Sequence, residues 1–411
     1  MSASVYAVAT LDTKGAELAY AAGLCRSAGV RVLTVDIGTG ATPAVAADIP
    51  REKVAGCHPR GAQYVLDLKD RGEAVAAMGD ALQGFLLQES YAGRLAGVLG
   101  LGGGGGTALI TQAMRGLPIG LPKLMVSTMA SGNVAPYIGT SDIALLYSVV
   151  DIAGLNAVST RVLANAAHAM AGMVLHKAPR APVKPALGMT MFGVTTPCVT
   201  EVRRLLEEDG FDCLVFHATG SGGRAMEKLV ASGMIEGVID VTTTEIADEV
   251  VGGILSAGPE RLDAILHQGV PYVLSLGALD MVNFGARNTV PANFARRNFY
   301  IHNPQVTLMR TKPEENREFA RWIAAKLQHA RAPVVVVVPE GGVSAIDAPG
   351  EAFHDPEADE ALFSELERAT RGNSHVTVKR YPEHINDVKF AKRLVDKFCH
   401  LWARRLRVPL P

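Results

Sequence analysis

Paired cysteines are missing from this sequence. It has five, Cys25, Cys57, Cys198, Cys213 and Cys399, and no two form a C-x-x-C pair. That excludes a zinc-ribbon pattern and a disulfide framework, and it fits a reducing, cytoplasmic setting. An excess of charge is missing too: 40 basic residues stand against 41 acidic ones. So there is no electrostatic case for nucleic acid or a membrane surface as a partner. No apolar run reaches the roughly 18 residues that a membrane span needs. Met1 to Thr10 lacks a basic segment followed by a long apolar one, so no signal peptide is expected. Also absent are the G-x-x-x-x-G-K-[ST] loop of Walker-type ATPases and the H-R-D and D-F-G sets of protein kinases.

Glycine is abundant, and its placement organises the rest. Leu95 to Leu101 reads as a buried strand, and five consecutive glycines, Gly102, Gly103, Gly104, Gly105 and Gly106, follow it. Thr107 then opens an apolar run compatible with a helix. Strand, glycine loop and helix together turn backbone N–H groups and a helix N-terminus toward an anion. Side chains would block that approach. The competing reading of such a run is a flexible turn. The chain's 411 residues, 48% hydrophobic and 20% charged, suggest two or three globular domains.

The first 40 residues read as a βαβ unit: strand Val5–Ala9, helix Ala16–Ala28 stopped by Gly29, and strand Val30–Val35. Ligands of open parallel sheets sit beyond the C-terminal strand ends. Asp12, Thr13, Lys14 and Asp36 fall on that edge, as does the glycine loop. Lys14 is placed to pair with a phosphate, and Asp12 to help hold a hydrated cation. Strand Lys123–Thr128 adds Thr128 and Ser131 as candidate phosphate or sugar contacts. Helix capping by Asp12 or Thr13 is the structural alternative. Ile143–Val150 reads as a strand and Asp151–Val174 as one long helix.

Three prolines within Pro179 to Pro185 mark a linker. The expected domains are 1–180 and 186–411, the second ending in a helix that packs back on the body. The second half opens like the first, with strand Ala186–Phe192, a hydroxyl-rich loop, helix Thr200–Asp209 and strand Cys213–His217. The expected class is therefore α/β: two Rossmann-like domains with mainly parallel sheets facing each other across a cleft. Gly220, Gly222 and Ala225 then fit G-x-G-x-x-[G/A], and Asp240 follows about 20 residues on, the full dinucleotide fingerprint. His217, Arg224, Asp240, Glu340 and Asp347 are polar candidates on the edges expected to face the cleft, and no catalytic role is assigned among them.

Four stretches carry a resemblance: Thr10-Leu-Asp-Thr-Lys-Gly15, Gly102 to Thr107, Phe216 to Glu227, and Pro339-Glu-Gly-Gly342 to Asp347. Together, and in this order, they resemble the Tm-1-like ATP-binding family, also catalogued as the uncharacterised family UPF0261. The resemblance covers essentially the whole chain. It implies a two-domain α/β protein that binds ATP with magnesium and forms homodimers. In the plant members the matching region is an N-terminal inhibitory domain, and their carboxyl-terminal barrel has no counterpart here. Three readings stand. One is an ATP-binding enzyme acting on a small metabolite in the interdomain cleft. The second is a non-catalytic ATP-binding regulator or interaction protein. The third is an NAD-type oxidoreductase that uses the Gly220 to Asp240 fingerprint.

Overall fold

The computed structural model describes residues 3–43, 45–176 and 184–405. The chain divides into two compact units, Met1–Arg180 and Ala181–Pro411. Pro179 to Val183 of the proline-rich segment lie outside the described residues.

In the first unit, β1 (Ser4–Ala9), α1 (Leu11–Ser27) and β2 (Val32–Asp36) form the opening βαβ. Then come α2 (Arg51–Ala55), α3 (Gly61–Asp67), α4 (Arg71–Tyr91), β3 (Leu95–Gly102) and α5 (Gly104–Gly116). The unit closes with β4 (Lys123–Ser127), α6 (Ala135–Ile138), β5 (Ala144–Tyr147) and α7 (Ser159–Leu175). The five strands are parallel, in the order β2-β1-β3-β4-β5. Every residue of β1 is buried, because both faces of the sheet are covered. Tyr6 and Val8 join a core with Met78, Leu82 and Phe85 of α4 and Leu109 and Ile110 of α5. Val5, Ala7 and Ala9 point the other way, into a core with Leu18 and Ala21 of α1 and Leu163 and Met170 of α7.

The long helix expected from Asp151 starts only at Ser159. Asn156 stops it from starting earlier: its Oδ1 accepts from the N–H groups of Val158 and Ser159, both at 2.9 Å. The residues before it form a loop tied to α1. Lys14 Nζ donates to the Ile152 carbonyl at 2.7 Å, and the Gly154 N–H donates to Glu17 Oε1 at 2.5 Å.

The second unit begins with β6 (Ala186–Met191), α8 (Thr196–Glu208), β7 (Asp212–His217), α9 (Ser221–Ala231) and β8 (Gly237–Thr242). It continues with α10 (Thr244–Val251), α11 (Asp263–Gln268), β9 (Tyr272–Gly277), β10 (Met281–Phe284), β11 (Phe299–Asn303) and β12 (Val306–Arg310). It ends with α12 (Pro313–Leu327), β13 (Val334–Pro339), α13 (Pro356–Thr370), β14 (Val376–Tyr381) and α14 (Val388–Arg405). The main sheet runs β14-β13-β9-β8-β6-β7, all parallel. Counted along the chain, its strands lie in the order of the first sheet with one strand added, so the two units repeat one topology. Both are Rossmann-like α/β folds, as the paired openings implied. An antiparallel sheet, β10-β12-β11, is added to the second unit in a stretch to which the sequence pattern assigns no element. The terminal helix α14 buries Phe390, Leu394 and Phe398 in the core of its own unit. Gly237 in β8 makes the close approach possible, since a Cβ there would meet the Phe398 ring at 2.6 Å.

Candidate functional site

In the first unit the chain leaves β1 toward one face of the sheet and leaves β3 toward the other. That divergence opens a crevice beyond the strand ends, the place where doubly wound sheets hold ligands. A cavity of about 540 Å³ lies there. Thr10, Asp12, Thr13 and Lys14 line it from the β1–α1 junction, and Ile37, Thr39 and Gly40 from the loop after β2. Leu68, Lys69, Arg71, Ala74 and Val75 close it from the start of α4, and Gly103 to Gly106 with Leu109 from α5. Three helices thus begin at its wall, each presenting N–H groups that precede the first intrahelical bond.

The glycine run is not a loop before a helix. Gly104, Gly105 and Gly106 are the first turn of α5, and the first bond of that helix runs from the Thr107 N–H to the Gly103 carbonyl at 2.8 Å. None of the five has a positive φ. Gly102 is required by the chain, because a Cβ there would meet the Gly106 carbonyl carbon at 2.7 Å. The other four are not. A Cβ would find its nearest neighbour at 3.8 Å at Gly103 and Gly104, at 3.7 Å at Gly106, and nothing within 4 Å at Gly105. Glycine in a helix costs about 0.5–1 kcal/mol relative to alanine. Nothing among the described residues asks for that cost at these positions.

The remaining expected binding residues divide. Asp12 is half-buried on the cavity wall, and its Oδ2 accepts from the Gly40 N–H at 3.2 Å. Thr13 is exposed beside it, its hydroxyl 2.8 Å from that of Thr10. Lys14 lies at a kink in α1, with φ −133° and ψ 25°, and its amine is held by Ile152. Asp36, expected at the ligand edge, does not line the cavity. It is 2% exposed, its Oδ1 accepts from the N–H groups of Leu11 and Gly38, and its Oδ2 accepts from Arg51 Nε at 2.8 Å. Arg51 also donates to the carbonyls of Gly40 and Ala41, so this pair fixes the loops that bear the cavity. The Thr107 hydroxyl is likewise turned inward, 2.6 Å from that of Ser127. Thr128 and Ser131 lie at the end of β4 and do not line the cavity.

Lys69 and Arg71 were not legible as site residues. The sequence reads as an amphipathic helix from Tyr64 to Gln88 interrupted at Gly72 and Gly79, but the chain breaks instead at Leu68, restarts at Arg71 and runs through both glycines. Asp70 caps the restart, accepting from the Glu73 N–H at 2.9 Å. An Asp with Glu three residues on is the signal that marks this start. Both basic side chains are exposed and make no ion pair among the described residues.

The second unit's glycine loop is also a strand–glycine–helix turn, but it is occupied. The N–H groups of Gly220 and Gly223 donate to Glu245 Oε1 at 2.7 and 3.1 Å. The cradle is filled by the protein's own carboxylate. A Cβ at Gly222 would lie 1.9 Å from the His217 carbonyl oxygen, and one at Gly223 would lie 2.1 Å from Glu245 Oε2. Asp240, expected at a ribose or as a catalytic group, has 0% exposure. Its carboxylate pairs with Arg261 at 2.8 Å and accepts from Tyr272 Oη at 3.0 Å and Thr190 Oγ1 at 2.5 Å. Arg261 also holds Glu227 and Glu245. Burial raises the Glu227 carboxyl against the pull of Arg261, and burial followed by the Asp240 charge pushes the Tyr272 phenol well up. The Gly220 to Asp240 fingerprint is therefore a folding element, and the oxidoreductase reading loses its site.

The other expected catalytic residues are not brought together. His217 is exposed at the end of an edge strand, its ring edge-on to Phe192, and Arg224 is exposed on α9. Glu340 pairs with Arg380 at 2.7 Å on the surface. Asp347 is buried in a separate cluster, where Asp347 and Asp359 both bond Arg310 and Asp280 lies alongside. Among the described residues, no group of three or more His, Cys, Asp or Glu side chains is placed to hold a metal ion.

The comparisons with known proteins cover both units. The model of the UPF0261 N-terminal domain matches residues 3–179, and that of the UPF0261 C-terminal domain matches residues 184–402. UPF0261 protein RA0729 of Rhizobium meliloti is 53% identical over 394 residues, 96% of this chain and 98% of that protein. A UPF0261 protein of Clostridium tetani is 44% identical, over 98% of this chain and 99% of that protein. The ToMV susceptible protein tm-1(GCR26) of Solanum lycopersicum is 48% identical over 97% of this chain, which spans only 56% of the tomato protein. The chain belongs to the uncharacterised protein family UPF0261, with both of its domains present in order.

Proposed function

We propose that this protein binds ATP with magnesium, its polyphosphate lying over the first turn of α5 in the first unit. One observation carries the reading: glycines 103 to 106 stand where the chain itself has room for side chains, on the wall of a cavity at the sheet's switch point. A ligand that approaches the backbone closely supplies the missing reason. The charges agree, since Lys69 and Arg71 face the cavity unpaired while Asp12 is its one carboxylate. Leu68, Val75 and Leu109 offer the apolar surface that a purine ring takes. A single carboxylate suits magnesium, which keeps most of its water and takes its other ligands from phosphates. Asp12 would then hold the cation through its hydration shell.

The cavity supports binding more directly than chemistry. Among the described residues that line it there is no histidine or cysteine, and Asp12 is the one carboxylate. The names of the tomato relatives concern ToMV and supply no reaction. The test is a calorimetric titration of the full chain with ATP, ADP and NAD, with and without magnesium. Magnesium-ATP should bind the parent and not Gly104→Val, while both give the same circular dichroism. NAD binding equal to ATP, or ATP binding undiminished in the variant, would sink the reading.

A further inference from the structure

We propose that the second unit carries a binding site of its own for a compact dianion, a phosphate or dicarboxylate group, in the pocket bounded by Arg296, Lys312 and His354. The pocket has a volume of about 240 Å³, less than half that of the first unit's cavity, which suits a small metabolite rather than a nucleotide. Arg296 comes from the segment before β11, Lys312 precedes α12, and His354 precedes α13. All three side chains are exposed, and none has an ion pair or hydrogen-bond partner among the described residues. Their charges are therefore not cancelled within the protein, whereas Arg297 and Arg310, which line the same pocket, are each paired with a carboxylate.

The pocket is also built. Arg310, 5% exposed, is one of its lining residues. Its guanidinium is fixed by the Phe353 carbonyl at 2.7 Å, Thr311 Oγ1 at 3.0 Å, the Asp355 carbonyl at 3.2 Å and Asp359 at 2.8 Å. Arg297 is fixed in the same way, by both oxygens of Glu315 and by the Arg310 carbonyl. The one acid in the lining, Asp355, spends its Oδ1 on the Ala358 N–H as the cap of α13. Rigid walls and uncompensated cations at the mouth are what an anion site requires.

The acids beneath do not cancel this field. Asp280, Asp347 and Asp359 share Arg310, and burial raises all three carboxyls, Asp347 further by the charges of the other two. Part of the cluster is therefore neutral near pH 7. It leaves the arginine paired without setting a full threefold negative charge under the pocket. The same placement explains the Pro339 to Asp347 motif: Asp347 braces the Arg310 floor and accepts from the Val343 N–H at 2.9 Å. This inference is independent of nucleotide binding in the first unit.

The test uses inorganic phosphate and malonate on the full chain, with chloride at matched ionic strength as the blank. Calorimetry is run on the parent, on Arg296→Glu with Lys312→Glu, and on Lys69→Glu with Arg71→Glu. Saturable binding of phosphate or malonate is expected in the parent. It should weaken at least about tenfold in the 296/312 pair, a loss of about 1.4 kcal/mol, and survive in the 69/71 pair. The two probes name the class: the tighter one identifies the anion, and either result supports the site. Absence of saturable binding in the parent, or its loss in the 69/71 pair alone, overturns the proposal. All four positions are exposed, and matching circular dichroism spectra check that each variant folds.

Discussion

The Gly220 N–H donates to Glu245 Oε1 at 2.7 Å, across 25 residues of sequence. That bond decides what the second glycine loop is for. The loop has the geometry to cradle an anion and already holds one. In the first unit the glycine turn follows β3, the third strand rather than the second, and among the described residues no carboxylate accepts from its N–H groups; glycines 103 to 106 border open space.

Alanine substitutions should separate the two loops. At Gly105 a Cβ meets nothing within 4 Å, so Gly105→Ala should leave stability unchanged or raise it by up to about 1 kcal/mol. The same methyl group sits on the cavity wall and should weaken magnesium-ATP. At Gly223 the Cβ would lie 2.1 Å from Glu245 Oε2 and 2.8 Å from Arg261 Nε. Gly223→Ala should therefore destabilise by about 1–3 kcal/mol. Urea unfolding measures the first quantity and calorimetry the second. A destabilised Gly105→Ala with intact nucleotide binding would reverse the assignment.

This contrast also marks how far the sequence could be read. The repeated strand–helix–strand openings were visible because spacing and glycine stops repeat in both halves. The glycine run was visible because five in a row have no common structural use. What separates the two loops lies elsewhere. Glu245 is remote in sequence, and only the fold, which sets the start of α10 beside the β7–α9 turn, brings it in. Asp36 and Thr107 sit at the strand and helix ends where ligand contacts are expected. Their partners, Arg51 and Ser127, turn them inward. Lys69 and Arg71 were hidden by reading through the break that Asp70 caps. The strands β10 to β12 are short and place polar Asn283 and Thr307 in the interior, so no alternation of apolar and polar residues announces them.

Arg261 is a structural hub, and its removal should read as such. Its guanidinium bonds Glu227, Asp240 and Glu245, all largely or wholly buried. Arg261→Met leaves three carboxylates without their cation. Breaking a buried pair in this way costs about 3–5 kcal/mol. The expected outcome is a large fall in the urea midpoint with nucleotide affinity of the first unit unchanged. If Arg261→Met folds normally and loses a ligand instead, the cluster is a site and not a brace.

The Arg310 cluster should make stability fall as pH rises. Burial, with the charges of Asp280 and Asp359, lifts Asp347 from an ordinary value of 3.8 to about 9. A carboxyl with a raised folded value binds more protons in the folded state across that interval. Its contribution is full below 3.8 and is lost as pH climbs to about 9. Asp347→Asn cannot ionise and removes that dependence. The parent should therefore lose stability relative to the variant between mildly acidic pH and about pH 9. Denaturation curves at several pH values supply the comparison, and a constant difference between the two proteins would mean that Asp347 stays ionised.

The last prediction concerns salt. If Lys69 and Arg71 hold the polyphosphate, they act as exposed cations at the mouth of the cavity, screened by ions within a Debye length of roughly 8–10 Å. The N–H groups of α5 act at contact and lie close to the bound anion, where salt reaches them less. The two contributions should then part company. Replacing Lys69 and Arg71 by Glu should weaken ATP by about 100-fold at low salt, roughly 1.4 kcal/mol for each of the two charges. As salt is added, the parent should weaken steadily and the variant much less, so that the two affinities converge. Gly104→Val acts by excluding the phosphates from the N–H groups, and its defect should persist at every salt concentration. Titrations of all three proteins across a salt series distinguish these outcomes. If the Lys69/Arg71 variant keeps the parent's affinity at low salt, the basic pair does not hold the phosphates and the nucleotide lies elsewhere on the sheet edge.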